Sequence, residues 1–99
     1  MKILALETEI PDTNPEQFAP HLKAEASRLW ELYQSGQVRE IYFRQGCSEA
    51  VLILECEDAE GARQILEGLP LVQAGLIRFE IIPLVPYPGF ERLFEKQGN

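Results

Sequence analysis

Three ionisable side chains that could form a proton-transfer site lie at helical spacing in one segment of the chain. His21 lies four residues before Glu25 and Arg28 lies three residues after it, so all three project from one side of a helix. Glu25 also falls between Leu22 and Leu29, at the margin of an apolar stripe. Partial burial at a helix–sheet seam would raise the pKa of this carboxyl group, and Arg28 would oppose that rise. Glu25 could then act as a general base; alternatively, it points to solvent and forms a surface ion pair with Arg28.

A second set of side chains could bind a substrate. Tyr42 and Arg44 alternate with Ile41 and Phe43, so they share one face of a predicted strand. They could hold a ligand carboxylate, or the polar side of this strand could form ion pairs that fix the register of a dimer. Three aromatic side chains could line an apolar pocket if they do not pack in the core: Trp30, Tyr33 and Tyr87.

The sequence contains no recognisable motif for binding a metal ion or a nucleotide cofactor. A single His and no aligned set of Asp or Glu residues predict no metal site, and no Gly-rich phosphate loop follows a predicted strand. We therefore expect a protein that works without a cofactor. Cys47 and Cys56 are separated by extended chain that spans about 30 Å, too far for a disulfide, so we expect reduced thiols and a cytoplasmic location.

The charge balance excludes two classes of partner. Nine basic against sixteen acidic residues give a net charge of −7, and the basic residues form no cluster that could neutralise nucleic-acid phosphates or an anionic membrane. No apolar run approaches the length of about 20 residues that a membrane span needs. Glu7 and Glu9 interrupt the N-terminal apolar stretch, which favours a strand over a signal peptide. A small-molecule ligand, a second copy of the chain and another protein remain as possible partners.

Turn and cap residues divide the chain into six elements. A helix capped by Asn14 begins at Pro15 and runs to about residue 34, where Ser35 and Gly36 end it. Pro20 predicts either a kink in this helix or regular helix only from Pro20 onward. A second helix is capped by Asp58, carries Ala62, Ile65, Leu66 and Leu69 at helical spacing, and is ended by Gly68 and Pro70. The predicted strands are residues 2–9, 37–44, 49–57 and 76–85.

The order β-α-β-β-α-β predicts a ferredoxin-like α+β sandwich formed by one domain, residues 1–99. Its helices can cover only one face of the sheet, yet the third strand is apolar on both faces. We therefore expect a second copy to cover the free face, which would make a dimeric α+β barrel. The C-terminal tail, about residues 86–99, is expected to dock on that copy through Phe90, Leu93 and Phe94.

The chain resembles the muconolactone delta-isomerase family. The resemblance rests on Ser35-Gly36, on residues 68–71 (Gly-Leu-Pro-Leu), and on Glu80 followed by Pro83, Leu84 and Pro88. It implies a dimeric α+β barrel that shifts an allylic proton in an unsaturated lactone without metal or cofactor. Glu25 stands in the register of the family's Glu and would be the base, with Arg28, Tyr42 or Arg44 stabilising the oxyanion.

The chain also departs from the pattern of that family. Ala24 and Ala26 replace the basic residues beside the family's Glu, Tyr87 occupies a His position, and the turn at residues 72–76 is longer by about two residues. Two other functions therefore stay open. One is a non-catalytic dimer that binds a small ligand or another protein, and the other is a cofactor-free quinol monooxygenase that uses Trp30 and Tyr33.

Overall fold

Four antiparallel strands form the sheet that organises the molecule. The computed structural model describes residues 1–95, and residues 96–99 of the predicted tail lie outside the described residues. The strands are β1 (Lys2–Glu9), β2 (Val38–Phe43), β3 (Ala50–Glu55) and β4 (Ile77–Leu84). The helices are α1 (Pro15–Phe18), α2 (Leu22–Gln34), α3 (Ala59–Glu67) and α4 (Pro70–Gln73), with 3-10 helices at Ala19–His21 and Pro88–Phe94.

The strands lie in the order β2-β3-β1-β4, and every neighbouring pair is antiparallel. Each helical connection therefore joins two strands that are consecutive in the sequence but are separated in the sheet by another strand, which is the ferredoxin-like arrangement. The predicted α+β class and ferredoxin-like fold are confirmed. Within residues 1–95, no helix is both long and apolar enough to cross a membrane.

Alternation along the two central strands decides which face carries the core. Ile3 and Ala5 of β1 are fully buried and pair in register with Leu54 and Leu52 of β3. These side chains pack with residues of α2 and α3 in one apolar cluster, because successive side chains of a strand point to opposite faces. The residues between them, on the face away from the helices, remain half-buried: Leu4, Leu6, Val51 and Ile53.

The first helical segment is built in three parts, as Pro20 predicts. The Asn14 side chain accepts a hydrogen bond from the backbone N–H of Gln17, and the Gln17 side chain accepts one from Asn14 N–H, so a capping box starts α1. The chain then passes through the 3-10 turn at Ala19–His21 before α2 begins. Beyond α2, Gly36 adopts a φ of +82°, a left-handed conformation that glycine tolerates best.

The second helical segment differs from the prediction at its C-terminal end. Asp58 caps α3 as expected, and its carboxylate accepts a hydrogen bond from Gly61 N–H at 2.8 Å. Pro70, however, begins a further short helix, α4, because a proline has no N–H to lose at a first helical position. The segment predicted to be a long turn is therefore partly helical, and β4 starts at Ile77.

Removing the cap of α3 tests this description of the fold. We expect Asp58→Ala to lower the free energy of unfolding by about 1 kcal/mol, since the Gly61 N–H loses its acceptor. Urea denaturation measures the change, and Glu57→Ala, at the neighbouring exposed residue, is the control. Equal stability of the two variants would show that the cap contributes nothing.

Candidate active site

An apolar cleft opens between the first helical segment and the helix-facing side of the sheet. Its volume is about 550 Å³, within the range of small-molecule sites. The side chains of Ala26 and Ala50 are small and leave room between α2 and β3. Most of the remaining wall is apolar and includes Phe18, Leu22, Leu29, Ile41, Phe43 and Phe79.

Glu25 enters this cleft from α2 and is only 8% exposed. One of its carboxylate oxygens, Oε1, accepts a hydrogen bond from Leu71 N–H of α4 at 2.9 Å. Burial raises the pKa of Glu25, while the Leu71 amide and the positive charge of nearby His21 lower it. The position agrees with the helical spacing of Glu25, and the role as a base remains a prediction.

A second carboxyl group, Glu7 of β1, lines the same cleft and is 6% exposed. Burial is the largest cause that raises the pKa of Glu7 to about 7, and the neighbouring carboxylates of Glu25, Glu9 and Glu49 add to it. The backbone amide of Ala50 acts in the opposite direction. Sequence reasoning missed Glu7 as a site residue, although its alternation with Ile3 and Ala5 already places it on the inward face of the strand.

The two candidates that flank Glu25, His21 in the 3-10 helix before α2 and Arg28 on α2, lie outside the cleft lining. His21 is half-buried at the start of the helix, where it influences Glu25 through its charge. The Arg28 guanidinium donates a hydrogen bond to Glu31 at 2.9 Å and lines a different groove, beside Cys56. The surface ion pair considered for Glu25 and Arg28 is therefore replaced by a pair between Arg28 and Glu31, because Glu25 turns inward to the Leu71 amide.

The aromatic candidates on α2 lie on the outer surface. Trp30 and Tyr33 stack with ring centroids 5.9 Å apart and are 57% and 49% exposed. Together with Arg39 and Tyr42 they line an open groove of about 590 Å³ between α2 and β2. They are neither core residues nor part of the wall of the Glu7–Glu25 cleft.

The remaining candidates have surface partners. The Tyr42 hydroxyl donates a hydrogen bond to Glu40 at 2.8 Å, and this bond is the main cause that raises the pKa of Tyr42. Arg44 lies 4.0 Å from Glu49 at the hairpin. Tyr87 is 65% exposed and packs edge-to-face against Phe90. Within residues 1–95, no three His, Cys, Asp or Glu side chains come together in a group that could hold a metal ion.

The fold and the cleft define a ferredoxin-like α+β protein with a small-molecule-sized acidic site, and comparison with known proteins gives its family. The family model described as muconolactone delta-isomerase matches residues 3–89. The chain belongs to the muconolactone delta-isomerase family, which confirms the resemblance stated from the sequence. No match to a curated protein was found.

Two solved structures share the fold over nearly the whole chain. A crystal structure of muconolactone isomerase is 20% identical, with a TM-score of 0.73 over 89% of this chain and 92% of that one. The 5-chloro-2-hydroxyhydroquinone dehydrochlorinase from Burkholderia phenoliruptrix, in complex with 2,5-dihydroxybenzoquinone, is 16% identical, with a TM-score of 0.72 over 90% of this chain and 98% of that one. At these identities the likeness shows the common fold.

The raised pKa of Glu7 predicts an unusual pH dependence of stability. Folded Glu7 keeps its proton up to about 7, whereas the unfolded carboxyl ionises near 4.5. Its stabilising contribution is thus fully present below the unfolded pKa and is lost as pH rises through the folded pKa. The Gln side chain of Glu7→Gln cannot ionise. From about pH 5 to pH 8, the free energy of unfolding of this variant should therefore rise on the order of 2 kcal/mol relative to that of the wild type.

Urea denaturation at both pH values measures this difference. Glu57→Gln removes the same charge from an exposed position and should follow the wild type at each pH. If the free energy of unfolding changed equally with pH in Glu7→Gln and in the wild type, this would contradict a buried Glu7 that retains its proton.

Proposed function

We propose that this protein is a cofactor-independent isomerase that shifts a proton within a small unsaturated lactone or acid, with Glu25 as the base. The observation that carries the proposal is the Glu25 carboxyl group, 8% exposed and directed into a largely apolar cleft of about 550 Å³. A base that must remove a carbon-bound proton benefits from a pKa raised toward neutrality, and burial raises that of Glu25.

The chemistry needs few groups. An ionised Glu25 removes an allylic proton, the electron pair of the C–H bond moves into a dienolate, and protonated Glu25 returns the proton to another carbon of the same system. The Leu71 amide fixes the carboxylate during this exchange. The reaction also requires a donor to the dienolate oxygen. Arg28, Tyr42 and Arg44, considered for this role from the sequence, do not line the cleft within the described residues.

Family membership and fold support the same class of reaction. The matching family takes its description from muconolactone delta-isomerase, and both solved structures compared above are enzymes named for small ring compounds. The quinol monooxygenase hypothesis relied on Trp30 and Tyr33. These residues line a neighbouring groove that shares Ala26, Leu29 and Ile41 with the acidic cleft but is not lined by Glu7 or Glu25. The buried Glu25 carboxyl group therefore favours the isomerase.

We further propose that two copies associate through the sheet face away from the helices. That face carries half-buried apolar side chains, including Ile82 beside Leu4 in register. The C-terminal 3-10 helix adds Phe90, Leu93 and Phe94, which are 67%, 75% and 83% exposed. A second copy of the same face and tail would bury both surfaces.

The free cysteines Cys47 and Cys56 support a reducing cytoplasmic location.

The role of Glu25 is tested by proton exchange. In deuterated buffer, we expect the wild type to incorporate deuterium into small butenolides, as followed by NMR. Glu25→Gln keeps an oxygen that can accept from Leu71 N–H but removes the base, so exchange should fall by roughly 100-fold or more. Glu57→Gln, with the same loss of charge at the surface, should exchange at the wild-type rate. Equal exchange by Glu25→Gln and the wild type would remove Glu25 from the mechanism.

The association is tested by sedimentation at micromolar concentration. We expect the wild type to sediment as a dimer and Ile53→Arg, which places a charge on the free face, to dissociate while keeping its circular dichroism spectrum. Gln64→Arg, on the exposed side of α3, is the matched control and should remain a dimer. A folded wild-type chain that sediments as a single copy would overturn the dimer.

A further inference from the structure

We propose that Glu7 is a second catalytic residue, a protonated carboxyl that donates a hydrogen bond to the dienolate oxygen while Glu25 moves the carbon-bound proton. This inference rests on the proposed isomerase function and assigns the oxyanion donor that the reaction requires. It concerns a residue that neither the helical motif nor the resemblance to the family indicates.

The two carboxyl groups approach one cleft from different elements. Glu7 comes from the central strand β1 and Glu25 from α2, and both line the same cavity. They are 6% and 8% exposed, so both carboxyl groups are largely shielded from water where they line the cavity. An acid and a base on separate walls can act on different atoms of one small molecule.

The surroundings differ in a way that separates the two roles. Glu25 is held by Leu71 N–H at 2.9 Å and senses the positive charge of His21, and both favour its ionised form. Glu7 faces the carboxylates of Glu25 on α2, Glu9 on its own strand and Glu49 before β3. Arg44 lies 4.0 Å from Glu49 and offsets only part of that negative charge. When the two carboxyl groups hold one proton between them, the proton therefore resides on Glu7 and the negative charge on Glu25.

The proposed step is balanced in atoms and electrons. Glu25 takes the proton as the C–H bond breaks, and the electron pair moves through the conjugated system to the carbonyl oxygen. The O–H of Glu7 donates a hydrogen bond to that oxygen and keeps its proton. Glu25 then returns the proton, a new C–H bond forms elsewhere in the system, and both carboxyl groups regain their initial states without oxidation or reduction.

Deuterium exchange into butenolides separates this role from that of Glu25. Glu7→Gln retains an N–H donor and should stay within about tenfold of the wild type, whereas Glu7→Leu removes the donor and should lose roughly 100-fold in kcat. Wild-type exchange should also decline as pH rises through about 7, where Glu7 loses its proton, and Glu7→Gln should abolish that decline. Wild-type rates and pH profile in Glu7→Leu would overturn the proposal for Glu7 while leaving Glu25 as base. Loss of exchange in Glu7→Leu with an unchanged KM supports it.

A binding measurement tests Glu7 independently of turnover. Dinitrophenolate, a coloured oxyanion, is titrated near pH 5 into Glu25→Gln, which lacks the repelling carboxylate and at this pH keeps Glu7 protonated. We expect the double variant Glu25→Gln/Glu7→Gln to bind dinitrophenolate as tightly as Glu25→Gln does. The double variant Glu25→Gln/Glu7→Leu should bind it about tenfold or more weakly. Equal binding by all three proteins, or no binding to Glu25→Gln itself, would overturn the proposal even if no butenolide proves to be a substrate.

Discussion

The hydrogen bond from Leu71 N–H to the Glu25 carboxylate is the contact on which the site depends. A carboxyl group taken out of water needs a hydrogen-bonding partner, since an unpaired buried charge is strongly destabilising. Here the partner comes from α4, a helix of four residues that begins at Pro70. This bond connects the two helical segments, so the position of the acid is set by the packing of α2 and α4.

The second constraint is that two carboxyl groups share one apolar cleft. Burial disfavours the ionised form of Glu7 and the neighbouring carboxylates add to this effect, so Glu7 holds a proton at a pH where an exposed Glu would not. Replacing Glu7 with a side chain that cannot ionise should raise the free energy of unfolding at neutral pH. The molecule therefore keeps a destabilising feature at the place where an acid and a base are useful together, as is common at functional sites.

Local signals predicted the elements well because each has a short-range cause. The Asn14 capping box, the interruption at Pro20, the Asp58 cap and Gly36 all act within one helical turn or less. The position of Glu25 could also be predicted from the sequence, since helical spacing places it beside an apolar stripe. The helix at Pro70 was missed because a proline after a helix can mark the end of that helix or the first position of a new one. Trp30 and Tyr33 resembled core or pocket residues in the sequence, and only the position of α2 on the sheet puts them outside.

Glu7 shows most clearly what a sequence alone leaves open. Its alternation with Ile3 and Ala5 points inward, but only the assembled fold brings Glu25 to the same cavity. The direct test is a site-resolved carbon-13 NMR titration of the Glu7 carboxyl in the wild type and in Glu25→Gln. We expect a wild-type pKa of about 7 that falls when the Glu25 charge is removed. A pKa of Glu7 near the ordinary 4.5 in both proteins would contradict a Glu7 that keeps its proton beside Glu25.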